Sequence, residues 1–145
     1  MTQQAAFDIN WQHFVVEQKP LGLVRSGGGF NAPNYTGMYY ISDECRCGIG
    51  ILFPLDTARQ LRDLRCGVHG LVNSLKAAVD TSPEVLEVVE TTFQGVSPTF
   101  LEELQDAHDF SRPLDPDWPR TPDQEIKNRL LELAVKWHLD IPVQP

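Results

Sequence analysis

No stretch of this chain approaches the roughly 20 consecutive apolar residues that cross a bilayer, so a membrane-spanning protein is not expected. The opening residues Met1-Thr2-Gln3-Gln4-Ala5 lack the basic and apolar regions of a secretory signal, and the expected location is the cytoplasm. Cysteine is scarce and odd in number: Cys45, Cys47 and Cys66 are expected as reduced thiols rather than as a disulfide framework. Basic residues are the third shortage, with 12 Lys and Arg against 20 Asp and Glu and a net charge of −8. The excess lies wholly in the second half: residues 1–72 carry six of each sign, residues 73–145 six basic and fourteen acidic. Direct nucleic-acid binding draws its affinity from Lys and Arg, so it is disfavoured here. A partner with a basic surface is the complementary expectation; the plain alternative is that the acids are solvated helix faces.

What is present is enough for one domain, residues 1–145, in a chain of 16.3 kDa. With 41% hydrophobic and 22% charged residues, the composition excludes collagen-like, coiled-coil and wholly disordered classes. Residues 4–18 carry a helical apolar stripe of Ala6, Phe7, Ile9, Trp11, Phe14 and Val15, with some spill off the face. Residues 26–35, with three consecutive glycines, predict a flexible loop. A phosphate-binding reading of that loop lacks the following Gly-Lys-Ser/Thr. Thr36–Ser42 and Cys45–Phe53, rich in β-formers and separated by Ser42-Asp43-Glu44, predict a β-hairpin. Alternation would put Cys45, Cys47, Ile49, Ile51 and Phe53 on the core face. Gly48 and Gly50, on the other face, suggest close approach of another backbone or a ligand.

Six helices are expected in all. A short one spans Thr57–Leu64, with Asp56 or Thr57 as its cap, and another carries Val68, Leu71, Val72, Leu75 and Val79. Ser82-Pro83, Ser97-Pro98 and Thr121-Pro122 each pair a capping hydroxyl with a proline at the first helical position, and Gln124 completes a capping box. Between the last two helices, residues 111–121 form a Pro-rich connector in which Pro113, Pro116, Pro119 and Pro122 recur at the polyproline II period. It reads as a stiff spacer over Trp118, or as a ligand for an aromatic groove.

Three residue sets are candidates for chemistry. Cys45, Cys47, Cys66 and His69 have the donor types of a zinc site, although the Cys-x-Cys spacing is short for one; buried thiols explain the same residues. Cys47 with His108 and Asp109 supplies a thiol, a base and an orienting acid, although residues 108 and 109 point about 100° apart on a helix. Glu102, Asp106 and Asp109 share one helical side, where magnesium could bind; the alternative is a solvated face. No cofactor is expected.

The segments Cys47-Gly48-Ile49-Gly50-Ile51-Leu52-Phe53-Pro54 and Phe100-Leu101-Glu102-Glu103-Leu104-Gln105-Asp106-Ala107-His108-Asp109 resemble a loose family of small tailed-bacteriophage and prophage proteins. That family has a Cys-x-Ile-Gly-x-Leu-Ile-Pro-like strand and a Leu-x-x-Leu-Gln-x-x-His-Asp helix. The chain departs from it in Phe53, in the Gly-rich insertion and in lacking an acid directly after Pro54. The resemblance implies a phage or prophage origin and singles out Cys47, His108 and Asp109. Together these readings predict a single α+β domain with a small antiparallel hairpin and about six helices. The expected function is an acidic inhibitor or redirector of a host protein, such as an anti-defence factor of the anti-CRISPR type, docking through Glu87, Glu90, Glu102, Glu103 and Asp106. The alternatives are a cysteine-dependent hydrolase or transferase using Cys47 and His108, and a virion assembly protein.

Overall fold

Three hydroxyls set the starts of the C-terminal helices as expected. In the computed structural model, which describes residues 1–29, 32–64, 66–78, 80–111 and 121–142, α4 (Pro83–Phe93), α5 (Pro98–Asp109) and α6 (Pro122–Trp137) each follow a capping side chain. Ser82, Ser97 and Thr121 accept hydrogen bonds from the backbone N–H of Val85, Phe100 and Gln124. The Thr121–Gln124 box closes in both directions, at 3.3 and 2.9 Å. Ahead of them lie α1 (Gln3–Asn10), α2 (Leu55–Arg59) and α3 (Val68–Ala77). One antiparallel hairpin completes the α+β fold: β1 (Leu23–Gly29) and β2 (Ala32–Gly37).

The hairpin is not where the residue pattern puts it. The glycines expected in a flexible loop over residues 26–35 are strand: Leu23 pairs with Gly37 and Gly29 with Ala32, with an irregularity between Arg25 and Gly27. A two-stranded ribbon is held by backbone pairing, which glycine supplies as well as any residue, and glycine tolerates the bulge. Of the predicted hairpin Thr36–Ser42 and Cys45–Phe53, the turn survives, with Ser42 and Cys45 exchanging backbone hydrogen bonds of 3.1 and 3.2 Å. Beyond Cys47 the chain coils into a tight helical turn at Gly50–Leu52, with Ile51 N–H on the Cys47 carbonyl at 3.2 Å. Alternation fails as a guide because both parities are buried: Ile49, Ile51 and Phe53, but also Leu52. The glycines do mark close approach. A Cβ on Gly50 would lie 2.0 Å from the Tyr39 carbonyl oxygen, and one on Gly48 2.8 Å from Asn10 Oδ1.

Two helix boundaries also differ. Pro54 precedes α2, so Asp56 and Thr57 lie inside its first turn instead of capping it, and the chain beyond Arg59 continues in turns to Leu64. The first helix widens after Asn10: over Trp11–Val16 the bonds reach five residues back, as in Glu17 N–H to Gln12 carbonyl at 2.9 Å. That widening rotates the apolar stripe and accounts for its spill. Pro113, Pro116, Trp118 and Pro119 of the Pro-rich connector, and Val79, lie outside the described residues.

Helix α5 sits at the centre, packed on α3, α6 and β2, while α6 also covers the widened turn. Its inner face contributes Phe100, Leu101, Leu104, Ala107 and His108 to a core shared with Phe7, Trp11, Phe14, Tyr39 and Leu130. Its outer face is left to Glu102, Asp106 and Asp109. No described helix is long and apolar enough to cross a membrane.

Candidate functional site

A cleft of about 370 Å³ opens where α5, the start of α3 and the end of β2 meet. Burying Leu101, Leu104 and His108 turns Glu102, Asp106 and Asp109, at intervals of four and three residues, outward along one wall. Cys66 and His69 form the opposite wall, and Tyr35, Thr36 and Gly37 close one end. The floor is tied by Gln105, whose Oε1 accepts the Val68 N–H at 3.1 Å, and by Tyr39, whose hydroxyl donates to the Cys66 carbonyl at 2.7 Å.

The electrostatics are one-sided. His69 Nε2 lies 2.8 Å from Glu102 Oε2, both about half exposed. Asp106 forms no ion pair among the described residues; partial burial, then the charges of Glu102, Asp109 and Glu103, push its carboxyl above the ordinary value. Asp109 approaches the hairpin so closely that a Cβ on Gly37 would lie 2.2 Å from its Oδ1. The wall therefore has an affinity for positive charge that the cleft itself does not satisfy.

His108 lies behind that wall, fully buried. Its Nε2 accepts the Gly22 N–H at 2.9 Å and its Nδ1 is 2.7 Å from Asp109 Oδ1. Since a backbone N–H only donates, Nε2 carries no proton and Nδ1–H donates to the carboxylate. The expectation that Asp109 points away from His108 is corrected here: at the last residue of α5 the two side chains swing together across the 100° between their Cα–Cβ bonds. The pair clamps the base of the hairpin, Gly22 just ahead of β1 and Gly37 at the end of β2.

Cys47 is also fully buried, and burial pushes its thiol up to about 12. Its Sγ accepts the Gly50 N–H at 3.4 Å, and no hydrogen bond joins it to His108. A buried, protonated thiol with no hydrogen bond to the His108 imidazole, whose two nitrogens are engaged elsewhere, does not form a nucleophile–base pair. The proposed zinc set does not assemble. Cys45 donates to the Leu21 carbonyl at 3.3 Å, Cys47 points into the core, and Cys66 and His69 face the cleft. Among the described residues no group of three His, Cys, Asp or Glu side chains is placed to hold a metal ion, the carboxylates of α5 included.

Of the five acids expected to dock a partner, the cleft unites Glu102 and Asp106. Glu103 is committed to α6, accepting from Lys136 Nζ and from Trp137 Nε1, the latter at 2.6 Å. Glu87 and Glu90 are exposed on α4, Glu87 beside a separate groove with Met1 and Pro54. Residue spacing missed Gly22, whose N–H donates to His108, Gly37, whose missing side chain admits Asp109, and Gln105, whose side chain holds the Val68 N–H; single glycines in a Gly-containing stretch carry no mark of such a role. No family model, curated protein or solved structure matches the chain.

Proposed function

We propose that this chain is a phage- or prophage-derived acidic protein of the bacterial cytoplasm that docks on a basic surface of a host protein and inhibits or redirects it, as an anti-defence factor would. The observation that carries the reading is the carboxylate wall of Glu102, Asp106 and Asp109, three acids in one cleft with Asp106 unpaired. A Lys or Arg side chain of the partner would relieve that repulsion, and complementary charge chiefly speeds association. The phage origin rests on the resemblance at Cys47–Pro54 and Phe100–Asp109. The thiol-hydrolase alternative has no comparable support, because Cys47 is buried and His108 is occupied at both nitrogens.

The test is affinity capture from a bacterial lysate by the native chain and by a Glu102→Gln, Asp106→Asn double variant, at low and high salt. One stoichiometric basic partner is expected, lost at high salt and bound about tenfold more weakly by the variant. Glu103→Gln, which alters the α5–α6 contact and not the wall, should retain it. Equal capture by the double variant overturns the reading.

A further inference from the structure

Outside the acidic cleft, polar groups are left without partners around the widened turn that follows α1. Among the described residues four buried side-chain atoms lack a hydrogen bond: Asn10 Oδ1, Trp11 Nε1, His13 Nε2 and Arg46 Nε. Three belong to residues 10–13 and the fourth lies opposite them, so the shortfall is local. Buried polar atoms are almost always paired, and widened turns of this kind concentrate at functional sites.

The turn itself builds a cleft of about 310 Å³. The five-residue bond from Glu17 N–H to the Gln12 carbonyl sets those two residues on one face, and Asp8 and His13 line the same cleft. Arg46 faces them, with Ile9 and Ile51 as apolar patches. Arg46 is held rigidly: its Nη1 donates to the Gly50 and Phe53 carbonyls at 3.2 and 3.3 Å, which leaves the Nε side of the guanidinium unused. A fixed guanidinium with a free Nε–H is a side-on carboxylate receptor. Burial and the nearby Arg46 charge lower the His13 pKa to about 4, so the ring is neutral near pH 7. Its Nε2 has no partner, and a neutral ring can offer that nitrogen as an acceptor. Acceptors for positive N–H groups are thus His13, Asp8 and Glu17, and the anion receptor is Arg46.

We propose that this cleft binds a free zwitterionic α-amino acid, its carboxylate on Arg46, its ammonium among Asp8, His13 and Glu17, and its side chain against Ile9 and Ile51. An isolated anion would meet the two carboxylates and an isolated cation the guanidinium; a ligand bearing both charges satisfies both. The unpaired nitrogens are shielded from solvent, so ligand entry requires side chains lining the cleft to move aside.

Titration of the full chain with a panel of free L-amino acids, followed through backbone amide NMR, tests the site. At least one is expected to bind with a Kd of about 1 mM or tighter and to shift amides of residues 8–17 and 46–51. Its N-acetyl and methyl-ester derivatives should each bind about tenfold more weakly, having lost one charge. Arg46→Gln should abolish binding; because Arg46 also holds two carbonyls, Glu17→Gln, whose side chain is exposed and makes no hydrogen bond among the described residues, is the second variant, with a loss of about tenfold. Failure of every amino acid to shift these amides at about 10 mM, or equal binding by the blocked derivatives, overturns the proposal.

Discussion

Two histidines, His108 under the acidic wall and His13 on the widened turn, occupy opposite conditions. His108 has no exposure and both nitrogens are bonded, to Gly22 and to Asp109. His13 is only half-buried, yet its Nε2 has no partner and its proton affinity is depressed. The residue that sequence places beside a cysteine and an aspartate, and so in an apparent catalytic set, is a structural clamp. The one with no motif around it faces a cleft with donors and acceptors to spare. Burial alone does not separate structure from function; whether hydrogen-bonding capacity is used up does.

Titration should break the two regions apart, and from opposite directions. Around His108 the core holds Cys47, whose thiol sits near 12 against an ordinary 9, and Tyr39, whose hydroxyl is also raised, in both cases mainly by burial. A group with a raised folded pKa contributes stability that is complete below its unfolded value and is lost as pH climbs through the folded one. Unfolding free energy is therefore expected to fall between pH 9 and 12, by about 4 kcal/mol for Cys47 alone, which approaches the whole stability of many domains. Cys47→Ala should flatten that limb. His13, lowered to about 4, has the opposite sign: its contribution is complete above 6.5 and lost as pH falls toward 4. His13→Gln should remove that acid limb and leave the alkaline one. Urea melts across the pH range decide; an alkaline limb unchanged in Cys47→Ala would mean that the buried thiol does not carry it.

Removing the clamp is the next largest effect. His108→Ala strands the buried Gly22 N–H and leaves a cavity beside Phe14, whose ring centroid lies 5.2 Å from the imidazole. An expected loss of about 3 kcal/mol combines the unpaired donor with the lost packing. His13→Ala, by contrast, should cost less than about 1 kcal/mol, since it removes an unpaired atom from a half-exposed site. Equal losses for the two substitutions, read from denaturant midpoints at constant m, would erase the distinction between the regions.

How far these features were legible in the residues depends on whether the information was local. Ser82-Pro83, Ser97-Pro98 and Thr121-Pro122 announce α4, α5 and α6 because a cap is a contract between residues three apart. The spacing of Glu102, Asp106 and Asp109 likewise placed them on one wall. Local propensity puts the hairpin in the wrong place because Gly27, Gly28 and Gly29 form strand only through pairing with residues 32–34, while Cys47–Phe53 is apolar in both parities and coils. No local pattern marks the clamp, because Gly22 is 86 residues from His108. The cleft at His13 and Arg46 depends on five-residue backbone bonds that no helical wheel anticipates.

The smallest predicted effect is the most informative about the wall. Asp106 lies one helical turn from Glu102 and from Asp109, and both raise its pKa; like charges at these spacings destabilise a helix by roughly 0.2–0.5 kcal/mol per pair. Asp106→Asn is therefore expected to stabilise the fold by about 0.5 kcal/mol while weakening capture of a basic partner. A solvated face with no partner would show the gain in stability and no loss of binding; a structural carboxylate would show a loss of stability. A gain in stability accompanied by weaker binding is the outcome that only a docking wall produces, because repulsion tolerated in the free protein is what a partner's positive charge relieves.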